Sequence, residues 1–176
     1  MRGANAVRAI RTTMMLLALA VAGPVIAAGP FDDGMEAYQR QDYVTALRLW
    51  RPLAAELGYA HGLAAAQYNL GLMYQDGQGV QQNYSLAVNW YWLAAAQGHG
   101  PAQNDIGYMY LNGLGVPQDY VLAHMWFNLA AAGSPSEFSD AKTRAQAAEN
   151  RDLAARKMTP AQIAEAQRRA REWTPK

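Results

Sequence analysis

Three histidines, His61, His99 and His124, are the side chains best suited to bind a metal ion or transfer a proton. A helical metal site needs a second histidine or a carboxylate three or four residues away, on the same face of the helix. No such partner stands at those distances from any of the three. We therefore predict no metal site. We expect His61 and His99, which fall near predicted turns, to be solvated surface residues.

Nucleophilic and cofactor chemistry find as little support. The chain contains no cysteine, which excludes a cysteine nucleophile, a disulfide framework and a thiolate metal site. Motifs of the GxSxG and HExxH types are absent from the sequence. Gly77-Gln78-Gly79 and Gly113-Leu114-Gly115 resemble a phosphate-binding loop, but no third glycine follows at the required spacing. The sequence therefore predicts a protein that is not an enzyme, with no catalytic residues and no cofactor.

The first 28 residues predict a secretory signal peptide. Three arginines precede an apolar run at residues 14–22, and small residues follow up to Ala28. This is the order of charged region, apolar region and cleavage site in such peptides. The apolar run is about half the roughly 20 residues of a membrane span, so an uncleaved anchor is the less favoured alternative. We expect cleavage after Ala27 or Ala28 and a mature protein in the periplasm or the secreted space.

The charge balance argues against nucleic acid as a partner. The formal net charge is +1 at pH 7, whereas a nucleic-acid-binding domain carries a strong basic excess. Without residues 1–28 the net charge becomes −2. It is unevenly spread, with −5 over residues 29–134 and +3 over residues 135–176. This asymmetry predicts two regions with different surfaces.

A 36-residue repeat organises the middle of the chain. Residues 67–98 align with residues 103–134 without gaps, and 16 of the 32 positions are identical. A period of this length is typical of stacked helical units rather than of one closed core. The second half of each repeat is alanine-rich, which allows neighbouring helices to pack closely.

Each repeat predicts a pair of antiparallel helices. Gly71 and Gly107 stand inside the first helices at a cost of about 1 kcal/mol relative to alanine, which predicts the close approach of a neighbouring helix. Asn83 and Asp119 are predicted N-caps of the second helices. The predicted buried stripe of the second helices consists of Tyr84, Ala87, Trp90/Tyr91 and Ala94, repeated as Tyr120, Ala123, Trp126/Phe127 and Ala130.

These motifs resemble those of the Sel1-like repeat family. The matching stretches are LGLMYQDGQGVQQNYSLAVNWYWLAAAQG and IGYMYLNGLGVPQDYVLAHMWFNLAAAG. The resemblance implies an all-α fold, a right-handed α-solenoid of antiparallel helix pairs, with repeats at residues 63–98 and 99–134. Residues 29–62 resemble a divergent helix pair, in which Tyr43, Ala46 and Trp50 fall roughly where Tyr84, Ala87 and Tyr91 do.

Residues 135–176 depart from the repeat and are predicted to form C-terminal capping helices. Ser134-Pro135-Ser136-Glu137 and Thr159-Pro160-Ala161-Gln162 each combine an N-cap residue, a proline and a Glu or Gln. This pattern predicts helices at about 135–156 and 160–173. A basic helix lying on a membrane surface is the less favoured alternative, because only Ile163 and Trp173 offer a large apolar side chain there.

The face formed by the first helices is the remaining candidate for function. Positions that differ between the two repeats are not dictated by stacking, and here they combine aromatic area with hydrogen-bonding groups. The predicted partner-binding residues are Tyr68, Asn69, Leu72, Gln75, Asn104, Asp105, Tyr108 and Leu111. Ordinary packing between neighbouring repeats is an alternative explanation for the same residues.

The sequence therefore predicts a non-catalytic interaction module that binds a protein or peptide on the concave face of the solenoid. The resemblance implies adaptor or regulatory roles, as family members often have. One alternative is an exported hydrolase related to Sel1-repeat proteins that bind β-lactams, although those proteins are cysteine-rich and no residue carries over. The other is a self-associating structural protein of the envelope; a homo-oligomer is possible, but the sequence does not indicate one.

Overall fold

The computed structural model describes residues 29–55, 60–133 and 140–174, without the side chains of residues 60–63. Over these ranges the chain forms eight α-helices and no strand. The helices are α1 (Pro30–Gln39), α2 (Tyr43–Ala55), α3 (Ala60–Asp76), α4 (Tyr84–Ala96), α5 (Gly100–Asn112), α6 (Tyr120–Ala132), α7 (Ala141–Ala155) and α8 (Pro160–Glu172). The predicted signal peptide and its cleavage sites lie outside the described residues. Among the described helices, none has the length and apolar character needed to cross a membrane.

The first and second helix of each repeat pack against each other through a glycine and an aromatic ring. A Cβ atom at Gly71 would lie 2.4 Å from the ring of Tyr91, and one at Gly107 would lie 2.8 Å from the ring of Phe127. Both rings are fully buried. The close approach predicted at the two glycines is confirmed, and the group that approaches is the aromatic ring of the partner helix. Any larger side chain at these positions would displace that ring.

The pair α1–α2 makes the same contact. A Cβ atom at Gly34 would lie 2.3 Å from the indole Nε1 of Trp50, which donates a hydrogen bond to the carbonyl oxygen of Phe31 at 3.3 Å. The turn after α3 then packs on the start of α2, where a Cβ atom at Gly79 would lie 2.7 Å from Cβ of Tyr43. The next turn repeats this arrangement, with Gly115 packed against the backbone of Tyr84.

The N-caps predicted for the second helices are confirmed. The side chain of Asn83 accepts a hydrogen bond from the backbone N–H of Leu86 at 3.0 Å, and Asp119 accepts one from Leu122 at 2.9 Å. The predicted buried stripe needs correction at three positions, because Tyr84, Trp90 and Tyr120 are only partly buried. Tyr91 is fully buried whereas Trp90 is only partly buried, because the space left by the missing side chain of Gly71 faces the ring of Tyr91.

The C-terminal helices pack on the second repeat. Helix α7 lies along α6 and touches α5, and α8 also packs on α6. The prediction of one continuous helix at about 135–156 is wrong, because Asp140 has extended backbone and caps α7 by accepting a hydrogen bond from the N–H of Thr143 at 2.6 Å. The predicted helix start at residues 134–137 lies outside the described residues. The capping box at the start of α8 is confirmed, with reciprocal hydrogen bonds between Thr159 and Gln162 at 2.8 and 3.3 Å.

Candidate functional site

Hydrogen bonds between side chains join the first helices to one another and to α7. Each bond links one unit to the next along the stack. They connect Asn69 to Met35 Sδ (3.4 Å), Tyr68 to Asp105 (3.1 Å) and Asn150 to Asn104 (3.0 Å). Four of the predicted partner-binding residues, Tyr68, Asn69, Asn104 and Asp105, therefore contribute to packing between units.

Three of those four residues also line an open groove of about 290 Å³ between α5 and the beginning of α7. Tyr68 reaches it from α3, while Asn104 and Asp105 reach it from α5. The remaining lining residues are Pro101, Asp140, Lys142, Thr143 and Gln146. We call this feature the α5–α7 groove.

Asp105 is the electrostatic centre of the α5–α7 groove. Burial raises the pKa of its carboxyl, and hydrogen bonds from Tyr68 and from Asn104 (3.1 Å) oppose that rise. Burial also raises the pKa of Tyr68, and the negative charge of Asp105 adds to the effect. The Tyr68 hydroxyl therefore keeps its proton and donates a hydrogen bond to Oδ2 of Asp105. The Tyr68 ring is held from the other side by His99, with 4.7 Å between the ring centroids.

The other predicted binding residues lie elsewhere. Leu72 is partly buried against the core, and Gln75 accepts a hydrogen bond from the Tyr91 hydroxyl at 3.0 Å. Leu111 packs beside Phe127 and lines a separate depression of about 500 Å³. Tyr108 is 48% exposed. The structure therefore brings three of the eight predicted residues into one groove and leaves one more freely accessible on the same helix.

Comparison with known proteins identifies the repeat. The Sel1 repeat family model matches residues 64–99 and 100–134. The chain contains two Sel1 repeats. Its all-helical solenoid of helix pairs matches solved structures of that fold, as predicted. Folds of this kind are generally protein-interaction scaffolds.

Two solved structures are similar to this chain. A protective antigen of uropathogenic Escherichia coli strains, which displays an SLR fold, is 29% identical with a TM-score of 0.69. A Sel1 repeat protein from Oxalobacter formigenes is 27% identical with a TM-score of 0.57. The matches cover 82% and 81% of this chain, but only 29% and 55% of the lengths of those two proteins. No curated protein matches the sequence.

The α7 side of the groove was missing from the predicted site. Lys142, Thr143 and Gln146 project from the first turns of α7, which sequence reasoning treated only as a cap. The signal that could have predicted this contribution is the position of α7 in the order of helices along the chain. Helix α7 follows the second repeat in the place where the first helix of a further repeat would stand, and it contacts α5.

One spacing with catalytic precedent includes a residue of the groove and runs against the prediction of no catalytic residues, which wrongly took this spacing to be absent from the sequence. Ser139 and Lys142 have the Ser-x-x-Lys spacing of class A β-lactamases and penicillin-binding proteins. The SDN and KTG motifs that accompany it in those enzymes are absent from this sequence. Lys142 lines the groove, whereas Ser139 lies outside the described residues.

The expectation that His99 is a solvated surface residue is wrong. His99 is 4% exposed, and its Nδ1 accepts a hydrogen bond from the backbone N–H of Ala102 at 3.2 Å. Burial lowers the pKa of His99 to about 4. His124 is also buried. Its burial is the main cause of its lowered pKa, and the positive charge of Arg151 lowers the pKa further. The side chain of His61 lies outside the described residues, and the described part of the chain holds no cluster of metal-ligating side chains.

The first helices share a charge of one sign. Helices α1, α3 and α5 contain no lysine or arginine, although Arg40, which caps the end of α1, pairs with Glu36. Their acidic residues are Asp32, Asp33, Glu36, Asp76 and Asp105. We call the surface of these three helices the first-helix face. A surface with charges of one sign attracts partners of the opposite sign over distances of about a Debye length.

Proposed function

We propose that this protein is a non-catalytic, exported interaction module that binds a protein or peptide along the first-helix face and in the α5–α7 groove. The observation that carries the proposal is the groove itself. Side chains from α3, α5 and α7, including Lys142 of α7, converge there next to first helices that contain five carboxylates and no lysine or arginine. Repeat solenoids use such extended surfaces for binding.

The chemistry of the groove favours a partner segment with basic side chains. Asp140 lies at the rim, and Asp105 is held in place by its hydrogen bonds to Tyr68 and Asn104. A lysine or arginine of the partner would gain from both the local carboxylates and the acidic first helices. Amide and hydroxyl groups of Gln146 and Thr143 are placed to bond the backbone of an extended segment. Binding of this kind weakens as salt concentration rises.

Site-specific photocrosslinking tests the proposed face. A photoreactive amino acid replaces Tyr108 or Gln146, both exposed on the proposed face. The matched control position is Val44, which is 68% exposed on the second helix of the first pair. Crosslinking is performed in the native envelope, and adducts are identified by mass spectrometry.

We expect the same partner to be captured from Tyr108 and Gln146 but not from Val44. The captured segment should be rich in lysine or arginine, and capture should fall with added salt. Equal capture from all three positions, or capture from Val44 alone, would contradict the proposed face. Adducts consisting only of this chain would favour the alternative of a self-associating envelope protein.

The proposal that the protein is exported rests on residues 1–28. The charged, apolar and small-residue regions of residues 1–28 support secretion. Cell fractionation of a C-terminally tagged chain, with N-terminal sequencing, tests this part separately. We expect a mature chain that begins at Ala28 or Gly29 and is found outside the cytoplasm. An intact N-terminus in the cytoplasm would contradict it.

Acyl transfer is the second candidate, favoured only by the Ser139–Lys142 spacing. A serine nucleophile with a nearby lysine is the arrangement that reacts with β-lactams. Purified protein is incubated with a chromogenic β-lactam, and Ser139→Ala is the control. Hydrolysis or a stable adduct that Ser139→Ala abolishes would establish this activity. We expect neither, because the accompanying motifs are absent.

A further inference from the structure

A depression of about 500 Å³ lies at the other end of α5 and α7 from the α5–α7 groove. The first turns of the two helices line the groove, whereas the depression is lined by residues at the end of α5, before and at the start of α6, and around the end of α7. Arg156 and Lys157 contribute two positive charges to it, and none of the described residues that line it has a carboxylate. We call this depression the basic notch.

The two cations of the basic notch are not balanced within the protein. In the part of the chain that the structure describes, the side chains of Arg156 and Lys157 form no ion pair and no hydrogen bond. Arg168 and Arg169 of α8, by contrast, pair with Glu165 at 2.8 and 2.7 Å. The end of α7 offers a partial negative charge of about half an elementary charge, which leaves most of the charge of the two cations available to an anion from outside.

Comparison of the two repeats shows where this charge comes from. The frame of the basic notch is common to both, because Gln118 and Tyr120 have the same residue types 36 positions earlier. The charge is not common, since Asn112 stands where the first repeat has Asp76. A carboxylate is thus missing from the second repeat at the place where α7 adds two cations. The same frame without the carboxylate therefore favours an anionic ligand.

Apolar side chains lie beside the cations. Leu153 is 47% exposed and stands three residues before Arg156, so the two side chains lie on the same side of the last turn of α7. Leu111 lines the basic notch from α5. Covering Leu153 removes apolar surface from water, which favours binding. A ligand that fits the basic notch therefore has an apolar group close to its negative charge.

The shape of the basic notch favours a polypeptide over a small molecule. Among its described lining residues, only Leu111 and Tyr120 are partly buried, and the rest are exposed. Pockets for small molecules bury about 70–90% of the ligand surface, which so open a depression does not achieve. It does have room for two neighbouring side chains of a partner protein.

We infer that the basic notch binds an acidic side chain of a partner protein together with an apolar side chain two residues away. Side chains at that spacing point to the same side of an extended segment. The planar fork of the Arg156 guanidinium fits both oxygens of a carboxylate, and Lys157 adds a second positive charge.

The choice of a polypeptide as the occupant rests on the proposed function. Thr143 of the α5–α7 groove and Arg156 of the basic notch are about 20 Å apart along α7. An extended segment spans this distance with about six residues. A segment bound in the groove through a basic residue therefore reaches the basic notch with an acidic residue about six positions away.

Two peptides that differ only in charge test the inference. The acetylated and amidated peptide Leu-Ala-Glu-Ala-Leu and its uncharged counterpart, with Gln in place of Glu, are titrated into the purified, isotope-labelled protein. Backbone amide resonances are followed by NMR. We expect the acidic peptide to shift the resonances of residues 111–120 and 153–158 saturably, while those of residues 30–55 stay in place. The uncharged peptide should bind about three- to fivefold more weakly, and so should an acidic peptide with Ser in place of both Leu.

Variants separate the two cations from the net charge of the protein. Arg156→Gln combined with Lys157→Gln should weaken binding of the acidic peptide by about three- to fivefold and leave binding of the uncharged peptide unchanged. Arg168→Gln combined with Arg169→Gln is the matched control, because it removes the same charge from α8, outside the basic notch. The control should leave both affinities unchanged. Circular dichroism confirms that each variant is folded.

Three results would overturn the inference. They are the absence of saturable shifts around the basic notch, equal affinities for the acidic and the uncharged peptide, and a loss of affinity in the α7 variant that does not exceed the loss in the α8 control. The first two are measured on the unaltered protein and do not depend on how a variant folds.

Photocrosslinking from Tyr108 and Gln146 tests the proposed function separately. Peptide binding in the basic notch combined with failed crosslinking would contradict the proposed function and leave the inference standing. Successful crosslinking without peptide binding would contradict the inference and leave the proposed function standing.

Discussion

The two repeats share the contacts that stack helices and differ where side chains reach outward. In both, a glycine of the first helix receives an aromatic ring of the second, as Gly71 receives Tyr91. In both, a glutamine after the turn donates to a backbone carbonyl seven residues earlier, at 2.7 Å for Gln82 and 2.8 Å for Gln118. The conserved half of the repeat is therefore a set of packing contacts.

Some differences between the repeats are also explained by packing. The Tyr91 hydroxyl donates to Gln75 in the first repeat, whereas the second repeat has Phe127 and Leu111, which pack as an apolar pair. Both members of the pair change together. A difference between repeats therefore indicates a binding position only when its partner across the helix pair does not change with it. Gln75 and Leu111 fail this criterion, while Tyr108 is accessible on the face.

The largest expected effect comes from removing a shared packing contact. Tyr91→Ala should lower the free energy of unfolding by about 3–5 kcal/mol, because it empties a fully buried site between α3 and α4. Trp92→Ala, next to it but exposed, should cost far less. Urea denaturation of both variants measures the difference. Similar losses for the two substitutions would mean that position 91 does not hold the helix pair together.

Acidification should weaken the fold through histidines that the repeat does not specify. The pKa of His99 is lowered to about 4 from its ordinary value of 6.5. As the pH falls, His99 of the unfolded chain therefore binds a proton at a higher pH than His99 of the folded chain. The contribution of His99 to the free energy of unfolding is complete above pH 6.5. It falls by about 2–3 kcal/mol as the pH drops towards 4. His124 acts in the same direction, since its pKa is also lowered.

Two variants check the pH dependence by thermal unfolding from pH 7 to pH 4. His99→Asn keeps an acceptor for the N–H of Ala102 without a titrating group, and should flatten the profile. The raised pKa of Asp105 works in the opposite direction, since its contribution to stability falls as the pH rises, so Asp105→Asn should steepen the loss on acidification. A profile that His99→Asn leaves unchanged would rule out His99 as the group responsible.

Filling the glycine sites should cost less than emptying the aromatic ones. Gly71→Ala is expected to lower stability by about 1–3 kcal/mol through overpacking against Tyr91. Gly107→Ala should cost less, because its methyl would lie 2.8 Å rather than 2.4 Å from the facing ring. Combining Gly71→Ala with Tyr91→Leu should cost less than the sum of the two single changes. Additive losses would show that the glycine and the ring are not coupled.

The smallest expected effect is the difference in stability loss between substitutions at two buried glutamines, Gln67 and Gln103. Gln67 uses both ends of its amide, donating to the carbonyl of Ala54 at 3.1 Å and accepting from Gln97 at 2.8 Å. In the second repeat Gly133 replaces Gln97, and among the described residues Oε1 of Gln103 has no partner. Gln67→Met should therefore cost about 1 kcal/mol more than Gln103→Met. Chemical denaturation of both variants measures this, and the reverse order would contradict the role of the Gln67–Gln97 hydrogen bond.

Sequence reasoning predicted the features that depend on local spacing. The helix pairs, the caps at Asn83 and Asp119, and the glycines that admit a neighbour all follow from residues close together in the chain. The features it missed depend on contacts between distant residues. Asn104 meets Asn150, 46 positions later, and the burial of His99 follows from the packing of α5 against α4 and of Tyr68 against its ring.

The most direct test of the account exchanges unshared positions between the repeats. Asn104→Tyr and Tyr108→Leu give the second repeat the residues that the first repeat has at positions 68 and 72. The control, His124→Val, makes the corresponding exchange on the second helix. The affinity of each folded variant for the partner captured by crosslinking is then measured. We expect the first exchange to abolish binding and the control to retain it. Unchanged binding after the first exchange would contradict the claim that the first-helix face is the binding surface.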